Sequence, residues 1–224
     1  MPGRMIQYQA NGTKTDAYLA TPQSGKGPGI VVIQEWWGLV GHIKSVADRF
    51  AAEGFSALAP DLYHGKSASE PDGAEKLFMA LNVAQAEKDL RAGVDEVAKQ
   101  SSTGKIGAVG FCMGGQLALF AATVNEKVGA AVNFYGIHPN VKPDYSKLKG
   151  PVLGLFAEKD AFVTPQTAKD VDAAIKKAGK SSEIHIYPGV DHAFFNDENT
   201  GAYNKAAADD AWKRCVAWLK KFSA

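Results

Sequence analysis

One stretch of this chain constrains its fold more than any other. It reads KIGAVGFCMGG from Lys105 to Gly115, an apolar strand followed by a hard turn and the start of an Ala/Leu-rich helix. Gly110 and Gly114 flank Cys112 two positions away on either side, where a Cβ would collide with the neighbouring strand or helix. This is the spacing of a nucleophile elbow, with sulfur where serine usually stands. A helix N-terminus favours a thiolate, so we predict that Cys112 is a catalytic nucleophile; an inert buried thiol is the alternative.

Length and charge point to one ordinary α/β domain over residues 1–224. The chain has 224 residues and a formal net charge of +1, which gives no reason to expect nucleic acid or an anionic membrane as partner. The first five residues lack an apolar signal core, and Cys112 and Cys215 lie too far apart in sequence to form a zinc motif. We therefore expect a cytoplasmic monomer, and no feature of the composition calls for a cofactor or metal.

Predicted strands and helices alternate after an antiparallel opening. The opening is a hairpin around Asn11-Gly12, the strongest short hairpin signal. This order predicts a mostly parallel, doubly wound sheet with an antiparallel N-terminal edge and no large cap domain. The segment 63–80 alone is long enough to act as a lid, and residues 62–73 are expected to form a loop. The predicted strands are 5–10, 13–20, 29–34, 55–59, 105–111, 128–135, 152–157 and 182–187. The predicted helices are 43–53, 165–178 and 203–222, together with a helical stretch that follows residue 73 and is clearest over 83–100.

Acids and histidines that follow predicted strands are candidate partners of Cys112, because functional groups gather at the carboxyl ends of such strands. Asp160 follows the strand 152–157, and His192 follows the strand 182–187. Nucleophile, acid and histidine then occur in the chain order of the α/β-hydrolases. His192 is predicted to take the thiol proton and return it to the leaving group, while Asp160 holds the imidazole.

Other acids and histidines fit these roles less well but remain alternatives. Glu158 follows its strand too directly, and Asp191 is next to His192, so its side chain should diverge from the ring. His185 lies in the middle of a predicted strand, and His42 lies at the start of a predicted helix. His64 and His138 follow strand ends but lie outside the expected chain order.

Glu35 is a third carboxylate of interest, at the end of the strand 29–34 and before two tryptophans. Burial beneath two indoles would raise its pKa unless it is paired; a salt bridge to a lysine or arginine is the alternative role. The backbone N–H groups of Trp36 and Met113 are predicted to form the oxyanion hole. Further aromatic side chains are candidates either for an apolar substrate pocket or for core packing, namely Trp37, Phe78, Tyr135 and Phe194.

The chain resembles the dienelactone hydrolase family of α/β-hydrolases over nearly its whole length. The resemblance implies an ester- or lactone-hydrolysing triad of Cys112, His192 and Asp160. It also implies that Glu35 pairs with the resting thiol and accepts its proton when substrate enters. The segments that carry the resemblance are VVIQEWWG at 31–38, APDLY at 59–63, GAVGFCMGG at 107–115, NFYG at 133–136, KD at 159–160, VTP at 163–165 and GVDHAF at 189–194.

The sequence departs from the family pattern where a substrate carboxylate would be held. Family members that act on dienelactone use two arginines there, and this chain has Asn196 at one place and EPDG at 70–73 at the other. A bidentate arginine contact has no neutral replacement. We therefore predict a smaller negative charge on the substrate, such as an enol ester, enol lactone or aryl ester, with Asn196 facing it. A thioesterase, another hydrolase on the same frame, and a non-catalytic redox-responsive protein are the alternatives.

Overall fold

The computed structural model describes residues 2–10 and 12–223, which form one eight-stranded sheet covered by helices on both faces. In chain order the strands are β1 (Arg4–Ala10), β2 (Thr13–Ala20), β3 (Gly27–Ile33), β4 (Ser56–Pro60), β5 (Ser101–Phe111), β6 (Val128–Phe134), β7 (Val152–Ala157) and β8 (Ser182–Tyr187). The helices are α1 (Gly41–Ala52), α2 (Pro71–Met79), α3 (Val83–Gln100), α4 (Met113–Val124), α5 (Pro165–Lys177) and α6 (Lys205–Ser223).

The sheet has the order β1-β2-β4-β3-β5-β6-β7-β8, and this confirms the predicted architecture. β2 pairs antiparallel with β1 and β4, whereas every neighbouring pair from β4 to β8 is parallel. Parallel neighbours need long crossovers, which the intervening helices provide. In the predicted hairpin turn, Gly12 has a φ of +93°. The other residue of that turn, Asn11, lies outside the described residues.

Two apolar clusters, one on each face of the sheet, hold the helices in place. Ile30 and Val32 of β3 belong to the cluster beneath α1 and α6, while Val31 and Ile33 belong to the cluster beneath α3 and α4. Both faces of β3 are therefore buried, which explains why its sequence shows no polar alternation. Each such side chain contributes roughly 1.5–3 kcal/mol when fully buried.

The structure corrects two predicted boundaries. The loop predicted for 62–73 ends early, because α2 begins at Pro71, in the first helical turn, where proline is tolerated. Ala74 is the one buried residue of α2, so the helix gives little apolar periodicity from which to predict its start. β5 begins at Ser101, four residues before its predicted start at 105, with its first five residues partly or fully exposed. None of the described helices is sufficiently long and apolar to cross a lipid bilayer.

Candidate active site

The site is built around the turn between β5 and α4, where Cys112 has a φ of 53° and a ψ of −127°. Such a left-handed conformation is uncommon for a residue with a Cβ. The turn is so tight that a Cβ on Gly110 would overlap the Gly114 carbonyl, and a Cβ on Gly114 would overlap the Gln34 carbonyl. The flanking glycines therefore allow strand, helix and turn to meet, and the Cys112 side chain stays partly exposed.

Backbone hydrogen bonds fix this strained turn. The Cys112 N–H donates to Phe134 O at 3.0 Å, and the Gly115 N–H donates to Cys112 O at 2.9 Å. Met113 is the first residue of α4, so its N–H belongs to the first-turn donors that have no acceptor within the helix. Backbone strain of this kind costs about 1–3 kcal/mol and is maintained by the surrounding structure.

The strain predicts that glycine is a more stable replacement for Cys112 than alanine. Glycine adopts the positive φ freely, whereas alanine keeps the strain. We expect the free energy of unfolding of Cys112→Gly to exceed that of Cys112→Ala by about 1 kcal/mol, after the entropic cost of glycine is subtracted. Urea denaturation of the two variants measures the difference, and equal midpoints would show that the turn is not strained.

Asp160 and His192 form a close pair at the carboxyl ends of β7 and β8. His192 Nδ1 lies 2.6 Å from Asp160 Oδ2, and Asp160 is 3% exposed. The other carboxylate oxygen, Oδ1, accepts hydrogen bonds from the backbone N–H groups of Phe162 and Val163, both at 2.8 Å. With both oxygens bonded, the carboxylate is held in one orientation, and it directs His192 Nε2 away from Asp160.

The His192 ring is a strong proton acceptor in this environment. Burial lowers the pKa of His192, but hydrogen bonds and charge interactions with Asp160 and Cys112 outweigh burial and raise it to about 10. Imidazolium is therefore the favoured form of His192 at neutral pH. The protonated ring then lies near both the Asp160 carboxylate and the Cys112 sulfur.

Most of the rival acids and histidines have other partners. Glu158 Oε2 accepts a hydrogen bond from the Gly189 N–H, and Asp191 is exposed. His185 contacts Glu183, His64 contacts Asp89, and His138 contacts the Phe78 carbonyl. His42 is buried at the start of α1.

Glu35 is buried, at 2% exposure, and its carboxylate is held by two side chains. Asn196 Nδ2 donates to Oε2 at 2.7 Å, and the Tyr135 hydroxyl donates to Oε1 at 3.4 Å. Burial raises the pKa of Glu35 above its ordinary value, although nearby histidines and these two hydrogen bonds act in the opposite direction. The resemblance implied a carboxylate bonded to the resting thiol; here the hydrogen bonds of the carboxylate go to Tyr135 and Asn196 instead.

The predicted pocket residues divide into two groups. Tyr135 packs edge-on against the rings of His192 and Phe194, with centroids 5.1 and 5.3 Å away. Both Tyr135 and Phe194 are fully buried, so neither ring offers exposed surface to a substrate. Trp36 and Trp37 are partly exposed and contact each other edge-on at 5.1 Å. Phe78 is partly exposed on α2, with its ring centroid 4.4 Å from that of His138.

Phe162 was missed in the sequence and lies at the site. Its side chain is 76% exposed, and its ring centroid is 5.6 Å from that of His192. The available signal was a large aromatic residue in a loop two positions after a candidate catalytic acid. An exposed aromatic side chain beside a candidate base suits contact with an apolar ligand group.

A mostly parallel sheet with a strained strand–turn–helix elbow at the end of β5 is the architecture of an α/β-hydrolase. The profile of the dienelactone hydrolase family matches residues 15–223. The chain therefore belongs to the dienelactone hydrolase family, and so to the carboxylic ester hydrolases.

Relatives match the chain along its whole length. "Protein usf" of Aquifex pyrophilus is 39% identical, with 98% of this chain and 99% of that protein covered. A protein of Aquifex aeolicus (strain VF5), provisionally named a carboxymethylenebutenolidase, is 35% identical over the same shares. A crystal structure from Klebsiella pneumoniae, provisionally named a dienelactone hydrolase, has a TM-score of 0.88 and 30% identity, with 98% of each chain covered.

Proposed function

We propose that this protein hydrolyses uncharged carboxylic esters and lactones through an acyl-thioester on Cys112. The proposal depends above all on one observation. His192 is paired with Asp160 and lies near enough to the Cys112 sulfur for that sulfur to raise the pKa of the ring, and a strained elbow holds the sulfur at the start of α4. Nucleophile, base and orienting acid are then in the order of a catalytic triad.

In the acylation step the thiol proton resides on His192, and the thiolate attacks the carbonyl carbon. The new C–S bond forms as the carbonyl π electrons move to oxygen. The intermediate collapses when the bond to the leaving oxygen breaks and His192 Nε2 gives that oxygen its proton. Asp160 stays ionised beside Nδ1 of His192 and stabilises the imidazolium until the ring gives up its proton.

In the deacylation step neutral His192 takes a proton from water, whose oxygen attacks the thioester carbonyl. The C–S bond then breaks, the acid product leaves, and the thiolate–imidazolium pair is restored. We propose the backbone N–H groups of Trp36 and Met113 as donors to the oxyanion in both steps. Loss of one such donor typically costs about 2.7–4 kcal/mol of barrier.

The preference for uncharged substrates follows from the side chains at the two family arginine positions. Asn196 carries no charge, and its amide N–H is already bonded to Glu35 at 2.7 Å. The other position, 70–73, holds EPDG, which would repel a carboxylate. Trp36, Trp37 and Phe162 offer exposed aromatic surface instead, which suits an aryl or enol group.

A substrate panel tests this function. Purified protein is assayed with a phenyl ester, an enol lactone, an acyl thioester and a dienelactone, before and after alkylation by iodoacetamide. We expect hydrolysis of the first two, a lower kcat/KM for the charged dienelactone, and loss of turnover as Cys112 becomes alkylated. Full turnover with Cys112 completely alkylated would exclude it as the nucleophile. A preference for the thioester would assign a thioesterase, and alkylation without any turnover would favour a redox-responsive protein.

Phe162 is expected to select for aryl leaving groups. Its ring lies beside His192, which gives its proton to the leaving oxygen, and an aromatic contact contributes about 0.5–1.5 kcal/mol. Phe162→Ala should raise KM for a phenyl ester about 2- to 10-fold and leave KM for the methyl ester of the same acid unchanged. Met5→Ala, which truncates an exposed side chain on β1, is the control. An equal rise for both esters would contradict leaving-group contact.

A further inference from the structure

A buried carboxylate that the proposed mechanism does not use is that of Asp89 on α3. Asp89 is fully buried, and its Oδ1 accepts hydrogen bonds from Thr15 Oγ1 of β2 at 2.7 Å and from Gln85 Nε2 at 3.1 Å. Its Oδ2 lies 2.9 Å from His64 Nε2. Within the described chain, His64 is the one side chain at salt-bridge distance that can carry a positive charge. Because a buried carboxylate is unfavourable unless it is paired and hydrogen-bonded, Asp89 favours this contact with His64.

His64 belongs to a tightly turned loop, residues 61–68, which follows β4. His64 has a φ of 51°, which is uncommon for a residue with a Cβ. The Asp61 carboxylate shapes the turn, because it accepts hydrogen bonds from the Tyr63 N–H at 3.0 Å and from the Gly65 N–H at 2.6 Å. A strained backbone persists only where surrounding contacts maintain it, and the contact with Asp89 ties this loop to α3.

The 61–68 loop also contacts the elbow. Tyr63 is buried, and its hydroxyl donates a hydrogen bond to Met113 Sδ at 3.1 Å. Met113 is the first residue of α4, and its N–H is one of the two proposed oxyanion donors. Because Tyr63 and His64 are adjacent in sequence, a single turn connects Asp89 on α3 with the start of α4.

The same loop contacts the segment that carries the other proposed donor, the Trp36 N–H. The Leu62 N–H donates to Gln34 Oε1 at 3.2 Å, and the Ala68 N–H donates to Trp37 O at 3.0 Å. Gln34 and Trp37 stand before and after Trp36 in the sequence. The loop is therefore bonded to residues on both sides of this donor, as well as to the residue that supplies the other.

We propose that the His64–Asp89 pair clamps the 61–68 loop, and that the clamped loop positions the N–H groups of Trp36 and Met113 for the oxyanion. His64 and Asp89 are positioning residues, because they act through the loop and not on the substrate. Two donors that must converge on one oxygen are sensitive to displacement, and an error of about 1 Å can cost about 100-fold in rate. The effect on turnover rests on the proposed function, whereas the clamping of the loop does not.

The direct test is the exchange of the Leu62 and Ala68 amide hydrogens with solvent, measured for each residue by NMR. In His64→Asn the new residue tolerates the positive φ, but its side chain is too short to reach Asp89. We expect both amides to exchange at least about tenfold faster than in the wild type, because the loop opens more often. His64→Gln places an amide nitrogen near the position of Nε2 and should restore slow exchange.

Unchanged exchange of both amides in His64→Asn would overturn the proposal. If that variant does not fold, His64→Gly makes the same comparison, because glycine also adopts the positive φ and removes the contact with Asp89.

Thr15→Val is the matched control. It removes the 2.7 Å hydrogen bond to the same buried carboxylate and changes no residue of the 61–68 loop. Urea denaturation should show that Thr15→Val and His64→Asn both lower the free energy of unfolding, because each removes a bond to Asp89. Only His64→Asn should speed the exchange of the Leu62 and Ala68 amides. Equal acceleration in the two variants would show that the loop responds to a general loss of stability, and would contradict a clamp.

Turnover gives a second and separable readout. His64→Asn should lower kcat for a phenyl ester about 10- to 100-fold and leave KM within about twofold, because oxyanion donors act on charge that develops in the transition state. His64→Gln should recover most of the lost kcat, and Thr15→Val should keep the wild-type value. Wild-type kcat in His64→Asn, or an effect confined to KM, would contradict the link from the loop to the oxyanion donors. Lack of ester hydrolysis in the wild type would refute the proposed function and leave the exchange test intact.

Discussion

Replacing Cys112 with alanine should abolish ester hydrolysis, with kcat falling about 10⁶-fold, the loss caused by removing the nucleophile of a serine hydrolase triad. The reason is chemical: without the sulfur no acyl-enzyme can form, and the oxyanion donors alone give a small residual rate. Initial rates with a phenyl ester at high enzyme concentration measure the loss. Circular dichroism shows whether the variant has kept its fold.

The second cysteine provides a matched control. Cys215 is fully buried in α6, and burial raises the pKa of its thiol, so it should be unreactive. We expect Cys215→Ala to keep wild-type kcat and to bind one acyl group per chain when a slow ester is quenched in acid and analysed by mass spectrometry. Acylation that persists in Cys112→Ala would assign the nucleophile to another residue.

Replacing His192 with alanine should reduce kcat nearly as much as Cys112→Ala does, again about 10⁶-fold. The ring that receives the thiol proton, protonates the leaving group and activates water is then absent. His185→Ala is the control, because His185 contacts Glu183 on β8 and lies outside the site. Near wild-type kcat in His192→Ala would refute the assignment of the base.

Asp160→Asn should reduce kcat about 10⁴-fold, because an amide no longer stabilises the imidazolium and favours the wrong ring tautomer. The alkaline limb of the pH–rate profile, expected near the His192 pKa of about 10, should also move to lower pH. Glu158→Gln and Asp191→Asn change the rival carboxylates and should leave both quantities unchanged. A larger fall in kcat in Glu158→Gln or Asp191→Asn than in Asp160→Asn would assign the role of the acid to that residue.

The same raised pKa predicts how stability depends on pH. His192 has a pKa of about 10 in the folded protein against an ordinary value of 6.5, so the folded state binds this proton more tightly. The resulting stabilisation is complete below about pH 6.5 and is lost as the pH rises through about 10. We expect the free energy of unfolding of the wild type, relative to His192→Gln, to fall across this range in urea denaturation. A constant difference would contradict the raised pKa.

The strongest local patterns in the sequence predicted the fold correctly. Unbroken apolar runs at β3 and β6 indicated strands buried on both faces, and the glycine spacing around Cys112 indicated the turn that the backbone adopts. The patterns placed boundaries poorly where burial gives no periodicity, as at the start of α2, where Ala74 is the one buried residue. A helix that packs so little leaves almost no trace of its boundaries in the order of polar and apolar residues.

Contacts between distant parts of the chain could not be foreseen in the same way. His42 looked like a histidine that merely begins a helix, but the tertiary fold buries it within 3.3 Å of an Asp197 carboxylate oxygen. Asn196 looked like a substrate contact and instead donates to Glu35 across 161 positions of sequence. Phe162, to which the sequence pattern assigned no role, is a neighbour of His192.

The sequence by itself determined the order of strands and helices, the sharp turn at Cys112 and the chain positions of its candidate partners, because glycine spacing and apolar runs act through local backbone sterics and burial. The tertiary structure alone decided that Asn196 and Tyr135 hold the Glu35 carboxylate and that His42 is buried close to Asp197. Those choices depend on the relative placement of loops after β3, β7 and β8, and hydrogen bonds between such loops are set by the packing of the whole sheet.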